Sequence, residues 1–487
     1  MKKTGVLRKQ GLNTTIGILM VNLMKSKRIE YGILIIYGIV LITSASACSP
    51  FFIFDEMIDI NVIFSVGKSF WNGLLVYRDL FEHKGPLMYA ITALAALISP
   101  SSQHGIWVME VIAVLLFLIY AKRTVELVNP KSSGILLPLI TWIMYHSTAF
   151  AAGTAEEFCL PLIMMGLFWS LKAMKERRIP NRRESFLLGL SFAVVFWIKY
   201  SMIGFYVGVF VTCLAVTIRD RSWKQLFQAI VSVILGFLII TLPIVLFFYF
   251  NGALQDLFQV YFFANVNDYA NRLDILYQGY YALTGTLNTI MNNFTCWLII
   301  LVGLICLLCR KQRRITLLVY VTLFSAAWFV YCGGMQFSYY GMILLVYTVF
   351  ASAAEPVIET SRHRWFVLAG LPILLSALWL PYDVFADPLT KEDYVQFRLM
   401  EPIKEKDASL LTYGSYDIGF YTAGDLKPSL YHFCLTNCNP DAARSAQEEY
   451  IKEGLADYVA AMDPLPANSH YEVILTDGRW KLYKRHS

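Results

Sequence analysis

Charge is what this chain has least of. Only 16% of its 487 residues are Asp, Glu, Lys or Arg, where a soluble protein of this length carries about a quarter. That excludes an ordinary soluble globule. The chain also lacks a metal-binding cysteine pattern. Of nine cysteines, Cys159, Cys213, Cys296, Cys306 and Cys309 lie in or beside apolar runs, where a small buried thiol is the simplest reading. Cys434 and Cys438 stand close together in a polar region. They suit a disulfide if that region is exported, or with His432 a partial metal site, although structural zinc asks for four ligands. A nucleotide loop is lacking too: "VIFSVGKS" ends like a P-loop but has Val62 where its first glycine belongs. There is no internal repeat. The net charge of +6 does not point to nucleic acid, because the bases gather in short loops between oily segments.

What is present is hydrocarbon. Hydrophobic residues make up 57% of the chain, in recurring runs of roughly the length that crosses about 30 Å of bilayer core. Residues 1–30 carry seven bases against one acid, which places this leader inside. The stretch 32–48 ends in Ala45-Ser46-Ala47, similar to a signal-peptide cleavage site. The long leader and the many segments that follow favour an uncleaved first span, with "TTIGILMVNLM" before it as a cytoplasmic interfacial helix. The apolar piece 87–99 is too short to cross and follows Gly85-Pro86, so it reads as interfacial or re-entrant. With that assignment the basic loops all fall inside. Spans are expected at 106–121, 133–152, 157–174, 226–250, 289–309, 315–331, 338–354 and 365–380. The long run 186–218 is expected as a hairpin with Lys199 near its outer turn.

Three segments then share the outer side: the first loop 49–105, the loop 251–288 with Asp256, Asp268, Arg272 and Asp274, and the tail from Pro381. The tail holds 17 of the 35 acids. Its alternating stretches "SLLTYG", "DYVAAM" and "YEVILTDGRWKLYKR", around a helical stretch near 441–455, read as a small α/β unit. Ionisable groups therefore concentrate on one face. The first loop supplies Asp55, Glu56, Asp59, Arg78, Asp79, Glu82, His83 and Lys84, and the next outer turn, "AGTAEEF", supplies Glu156 and Glu157. Any outer loop must be polar, and exposed pairs such as Arg78/Asp79 are worth under about 1 kcal/mol. Carboxylates from two loops beside a His-Lys pair at the start of a surface helix nonetheless suit an anionic lipid headgroup with a base nearby. Lys199, an intramembrane lysine, is either a functional group or a snorkelling one.

"FDEMIDIN…GKSFWNGLLVYRDLFEHKGPLMY" resembles the first outer loop of the GT-C glycosyltransferases. The likeness is to bacterial membrane proteins related to protein O-mannosyltransferases and to the lipid A aminoarabinose transferase. The elements that carry it are Asp59, then Gly73, Tyr77 and Asp79, then His83-Lys84-Gly85-Pro86-Leu87. The resemblance covers about 30–380. It implies an inverting enzyme that moves a sugar from a polyprenyl-phosphate donor to an acceptor hydroxyl outside the membrane, on a cell-surface polymer, lipid or protein. Such a reaction needs one carboxylate to take the acceptor proton and cations to steady the departing phosphate. The resemblance favours Asp59 as the base, with Asp55 or Glu56 as alternatives. Lys84, seconded by His83, Arg78 and Lys199, would hold the phosphate. Asp79, Glu156, Glu157 and Tyr77 would line the substrate site. Many relatives carry a His-Tyr pair at the start of the tenth span; "GGMQFSYYGMI" has Tyr339-Tyr340 there, which with Gln336 could hydrogen-bond a sugar. No cofactor is demanded, although paired outer acids also offer ligands for a divalent cation.

The expected architecture is an all-α polytopic membrane protein of about 11 transmembrane helices, GT-C-like, plus a small C-terminal extracytoplasmic α/β domain. Its parts are a basic leader 1–30, a catalytic region 31–380 and the domain 381–487. The rival functions are a transporter or flippase of lipid-linked sugars, which asks for polar groups at mid-membrane, a glycan polymerase or ligase, which tends to place arginines in a late outer loop, and a non-catalytic scaffold.

Overall fold

A backbone surrounded by hydrocarbon has to satisfy its own hydrogen bonds, so long apolar runs become helices. In the computed structural model, residues 27–132, 134–269, 274–354, 370, 374–375, 389–467 and 470–486 are described. The chain forms helices α1 (Lys27–Ala45), α2 (Ile58–Ser69), α3 (Pro86–Ile98), α4 (His104–Val128), α5 (Leu137–Tyr145), α6 (Ala155–Lys175), α7 (Arg182–Ile198), α8 (Gly204–Asp220) and α9 (Trp223–Phe250). A π-helical stretch, Phe258–Tyr269, leads to α10 (Ile275–Asn292), α11 (Phe294–Cys309) and α12 (Arg313–Tyr331). The segment Ser338–Thr348 is a 3-10 helix that runs into one last turn, Val349–Ser352.

Local chemistry sets several of these boundaries. Pro86 occupies the first turn of α3, where its missing N–H costs nothing. Asn181 and Glu184 cap the start of α7 reciprocally, each side chain bonding the other's backbone N–H at 3.0 Å. Gly189 of α7 meets α9 so closely that a Cβ there would lie 2.1 Å from the Val233 carbonyl oxygen, the small-residue contact on which membrane helices pack.

Among the described residues, five helices are long and apolar enough to cross a membrane, and α10 with α11, bent by 105°, would make a sixth. The eleven spans expected from hydropathy are therefore not matched one for one. The expected 133–152 span holds only the nine-residue α5, and 338–354 is largely 3-10 helix. The expected loop 251–288 is mostly helical, and Asp274 caps α10 by accepting from the Leu276 and Tyr277 N–H groups at 2.9 and 3.1 Å. The 365–380 span, the interfacial helix near 14–24 and Arg272 lie largely or wholly outside the described residues. Hydropathy counts apolar residues but does not see where a helix bends or tightens.

The two ends of the bundle are distinct. At one end Arg314 joins α12 to Asp220 of α8 at 2.7 Å and to the Arg177 carbonyl after α6 at 2.8 Å. There too Arg310 reaches the Ala353 carbonyl at 2.6 Å and Gln312 that of Val128 at 3.4 Å. At the other end sits the tail. Its strands β1 (Leu410–Tyr413), β2 (Tyr458–Ala461), β3 (Tyr471–Asp477) and β4 (Trp480–Arg485) form one sheet in the order β1-β2-β4-β3. The β1–β2 pair is parallel, starting from Leu410 opposite Tyr458, and the other pairs are antiparallel. Helix α13 (Pro440–Glu453) bridges β1 and β2. The sheet unit is fastened to the loop helices by Ser65 donating to Asp417 at 2.8 Å, by the Phe81 N–H donating to the Tyr431 carbonyl at 2.8 Å, and by Phe54 packed edge-on against Phe397. All nine cysteines are free, including buried Cys434 and Cys438.

Candidate active site

The stretch "YRDLFEHKGP" folds into a tight turn that leads into α3. Tyr77 adopts a left-handed backbone (φ 74°), its N–H donates to the Leu80 carbonyl at 2.8 Å, and its hydroxyl donates to the Lys84 carbonyl. Asp79 closes the same turn by accepting from the Leu75 N–H at 2.7 Å. Gly85 then presses against the end of α7. Its N–H donates to the Ile198 carbonyl at 3.1 Å, and a Cβ at this position would fall 2.0 Å from the Trp197 carbonyl oxygen. Only glycine fits, and the close contact brings Lys84 beside Lys199, the residue that breaks the chain between α7 and α8. The run 186–218, expected as a hairpin, is broken at this lysine into α7 and α8.

Three chain regions meet around Lys84. Its ammonium lies 3.3 Å from Asp59, in the first turn of α2, and 3.5 Å from Glu82. Tyr339 donates to the other Asp59 oxygen at 2.7 Å. Burial by itself would push the Asp59 carboxyl up, but Lys84, the Tyr339 hydroxyl and Lys199 together hold it below the ordinary carboxylate value. Asp59 is thus a carboxylate at neutral pH. His83 Nδ1 is 2.9 Å from Asn265 Oδ1, and Asn265 donates to the His83 carbonyl at 2.6 Å. Burial lowers the His83 pKa, so its ring is neutral. Lys199 is held at 2.6 Å by Glu156 and lies 3.7 Å from the centre of the Tyr340 ring.

Two cavities share this wall. The first, about 380 Å³, reaches Asp59, Lys84 and Lys199 and is otherwise mostly apolar, with Ile203, Phe329 and Met335 on its sides and half-exposed Val266 at its flank. The second, about 470 Å³, lies beneath the tail and is bounded by Glu56, Glu82, Phe337, Tyr416 and Thr436. Asp59, His83, Lys84, Tyr339 and Asn437 border both. A lipid-like molecule and a polar one can therefore meet at the Asp59–Lys84 pair from opposite sides.

The structure brings together Asp59, His83, Lys84, Lys199, Tyr339 and Tyr340, with Glu156 behind Lys199. It sets the other expected residues elsewhere. Asp55 is buried beside α2, accepting from the Met57 N–H at 2.9 Å, which makes it a helix-entry group; burial pushes its carboxyl up. Glu56 is exposed at the rim of the second cavity and accepts from Gln396 at 3.1 Å. Arg78 is spent on Asp79 at 2.7 Å and the Asn251 carbonyl at 3.0 Å. Glu157 turns away from the cavities toward Glu110 of α4, both carboxylates accepting from the Gly153 N–H at 2.9 Å. Gln336 bonds Thr284 at 2.6 Å and Asn288 at 2.8 Å. Among the described residues no group of three His, Cys, Asp or Glu side chains could hold a metal ion.

Sequence reading gives no role to Glu82, a buried carboxylate that accepts from the Tyr89 hydroxyl and the Lys84 N–H. Nor does it find Asn265, Tyr416 or Asn437. The only available signal was the four-residue spacing of Tyr261 and Asn265 on one helix face; the tail residues had none.

The family model for the N-terminal domain of the competence-induced protein Ccs4 matches residues 21–364. No curated protein matches the sequence. Among solved structures, the fold is similar to the crystal structure of ArnT from Cupriavidus metallidurans bound to undecaprenyl phosphate, with a TM-score of 0.64 and 12% identity over 94% of this chain and 98% of that one. The apo form of the same protein gives 0.60 with the same identity and coverage. At this identity the likeness is one of fold.

Proposed function

Because the chain belongs to the Ccs4 N-terminal-domain family and has the fold of ArnT, we propose that it is an inverting glycosyltransferase. Its donor is a polyprenyl-phosphate sugar, such as one on the undecaprenyl phosphate bound in that ArnT structure. The prenyl chain enters the apolar cavity and its phosphate meets Lys84 and Lys199, point charges suited to phosphate oxygens. The acceptor hydroxyl approaches from the second cavity. Its oxygen attacks the anomeric carbon, Asp59 takes its proton, and the carbon–oxygen bond to phosphate breaks, so that polyprenyl phosphate leaves with the electron pair. Tyr339 and Lys84 orient Asp59, Glu156 orients Lys199, and Tyr77 fixes the Lys84 backbone. The observation that carries the reading is Asp59 standing 3.3 Å from Lys84 on a wall common to two cavities, one mostly apolar and the other bordered by further carboxylates.

In this reading 31–380 is the catalytic region and 381–487 an extracytoplasmic domain, with residues 1–30 in the cytoplasm of a multi-pass membrane protein. The deciding experiment supplies membranes with lipid-linked sugar and follows release of undecaprenyl phosphate. Asp59→Asn should cut transfer by about 100-fold or more in a folded protein, while Asp55→Asn and Glu56→Gln keep most of it. Wild-type transfer by folded Asp59→Asn would remove the base. Orientation is checked with a membrane-impermeant thiol reagent in a cysteine-free background. Cysteines replacing Lys84 and His470 should react from outside and one replacing Arg178 should not; the opposite pattern inverts the topology.

A further inference from the structure

The cavity beneath the tail has a chemical character of its own. Three carboxylates border it, Glu56, Asp59 and Glu82, against one lysine, Lys84, which already faces two of them at 3.3 and 3.5 Å. The buried His83 adds no charge. Lys199, the cation of the apolar cavity, does not reach this one. Three aromatic rings, Phe337, Tyr339 and Tyr416, line it as well, and Phe337 stacks on Tyr339 with centroids 5.6 Å apart. Such rings present apolar faces to the C–H faces of a pyranose, and the tyrosine oxygens accept from its hydroxyls. The tail supplies the roof: the Tyr416 hydroxyl donates to Asn437 Oδ1 at 2.7 Å, which commits that oxygen and turns the amide of Asn437, on the wall common to both cavities, to donor duty.

We infer that this cavity selects an uncharged or amine-bearing saccharide as the acceptor, the first-loop carboxylates turning negative charge away and the tail supplying grip through Tyr416 and Asn437. The inference rests on the transferase reading and names the acceptor class within it. A phosphate- or uronate-bearing glycan would enter against Glu56 and Glu82 with no spare cation among the described lining residues to meet it, and rejection by like charge is an economical source of specificity.

The test uses the full chain in nanodiscs, with two probes. One is undecaprenyl phosphate; the other is an array of neutral, amino-bearing, phosphorylated and uronic oligosaccharides. The wild type should retain neutral or amino-bearing glycans. Tyr416→Ala should lower that retention by about tenfold and leave undecaprenyl phosphate binding within about twofold of wild type. Glu56→Lys, on the exposed rim and compared with wild type only where its melting temperature is unchanged, should admit anionic glycans and weaken amino-bearing ones. Retention of anionic glycans alone, no glycan retention at all, or retention indifferent to both substitutions overturns the inference. Failure of the wild type to bind undecaprenyl phosphate instead overturns the donor assignment, which separates the two.

Discussion

Lys122 and Lys84 stand at opposite ends of the bundle and look alike on paper. Each is nearly buried, 8% and 12% exposed, and each faces two carboxylates. Lys122 lies 2.9 Å from both Glu30 and Glu126, while Lys84 lies 3.3 and 3.5 Å from Asp59 and Glu82. The tight pair joins α1 to α4. The slack pair lines two cavities. Residue types are the same, so the difference lies in what the surrounding backbone does with them. At Lys122 the charges close against each other, and at Lys84 they stand farther apart at the mouth of a space large enough for a ligand.

The sharpest way to break this contrast is to truncate both lysines. Lys84→Ala should lower undecaprenyl phosphate affinity by about 10- to 100-fold, the loss expected when a charge-assisted contact of about 1.5–3 kcal/mol disappears. Lys122→Ala should lower thermal stability and leave affinity alone. Isothermal titration and thermal unfolding read the two effects, and equal loss of affinity in both variants would erase the distinction between the ends.

A smaller effect concerns pH. Asp59 has its pKa held below the ordinary carboxylate value, so its ion-paired stabilisation is complete above that ordinary value and is lost as pH falls through the lowered one. Transfer should therefore persist down to unusually acid pH before declining. Without Lys84, burial becomes the dominant influence on the carboxyl, and the acid limb of the residual rate should move to higher pH. A limb that stays in place would mean that Asp59 is not the titrating group.

The smallest effect concerns the contact between tail and loop. Burial pushes Asp417 up from 3.8 to about 6, against hydrogen bonds from Ser65 and from the Gly419 and Phe420 N–H groups. The folded state therefore binds its proton more tightly than the unfolded state does. Stability from this site is full below the unfolded value of 3.8 and falls as pH rises to about 6. Asp417→Asn should flatten the melting temperature across that interval.

Much of the architecture was legible beforehand. Apolar runs and basic loops placed most helices, the short 86–98 helix and the break at Lys199, and the three stretches singled out in the tail hold its four strands. The motif from Tyr77 to Pro86 pointed to Lys84 and, at a distance, to Asp59. What was not legible had no local signature. Asp55, Glu56 and Asp59 lie within five residues, and choosing among them depended on which one the 3-10 segment at Tyr339 and the turn at Lys84 happen to approach. Glu157 and Glu156 are neighbours, yet helical geometry sends one to Glu110 and the other to Lys199.

By itself the sequence determined the hydrocarbon environment, the helical class, and the crowding of ionisable groups on one side, because these follow from composition and period. Only the tertiary structure decided which carboxylate stands beside a lysine on a cavity wall and which only closes the turn before a helix. It alone brought Tyr416 and Asn437 of the tail over Asp59 and Lys84, more than 300 residues earlier in the chain. Side-chain direction and long-range packing are collective results of the fold, and no short window of residues encodes them.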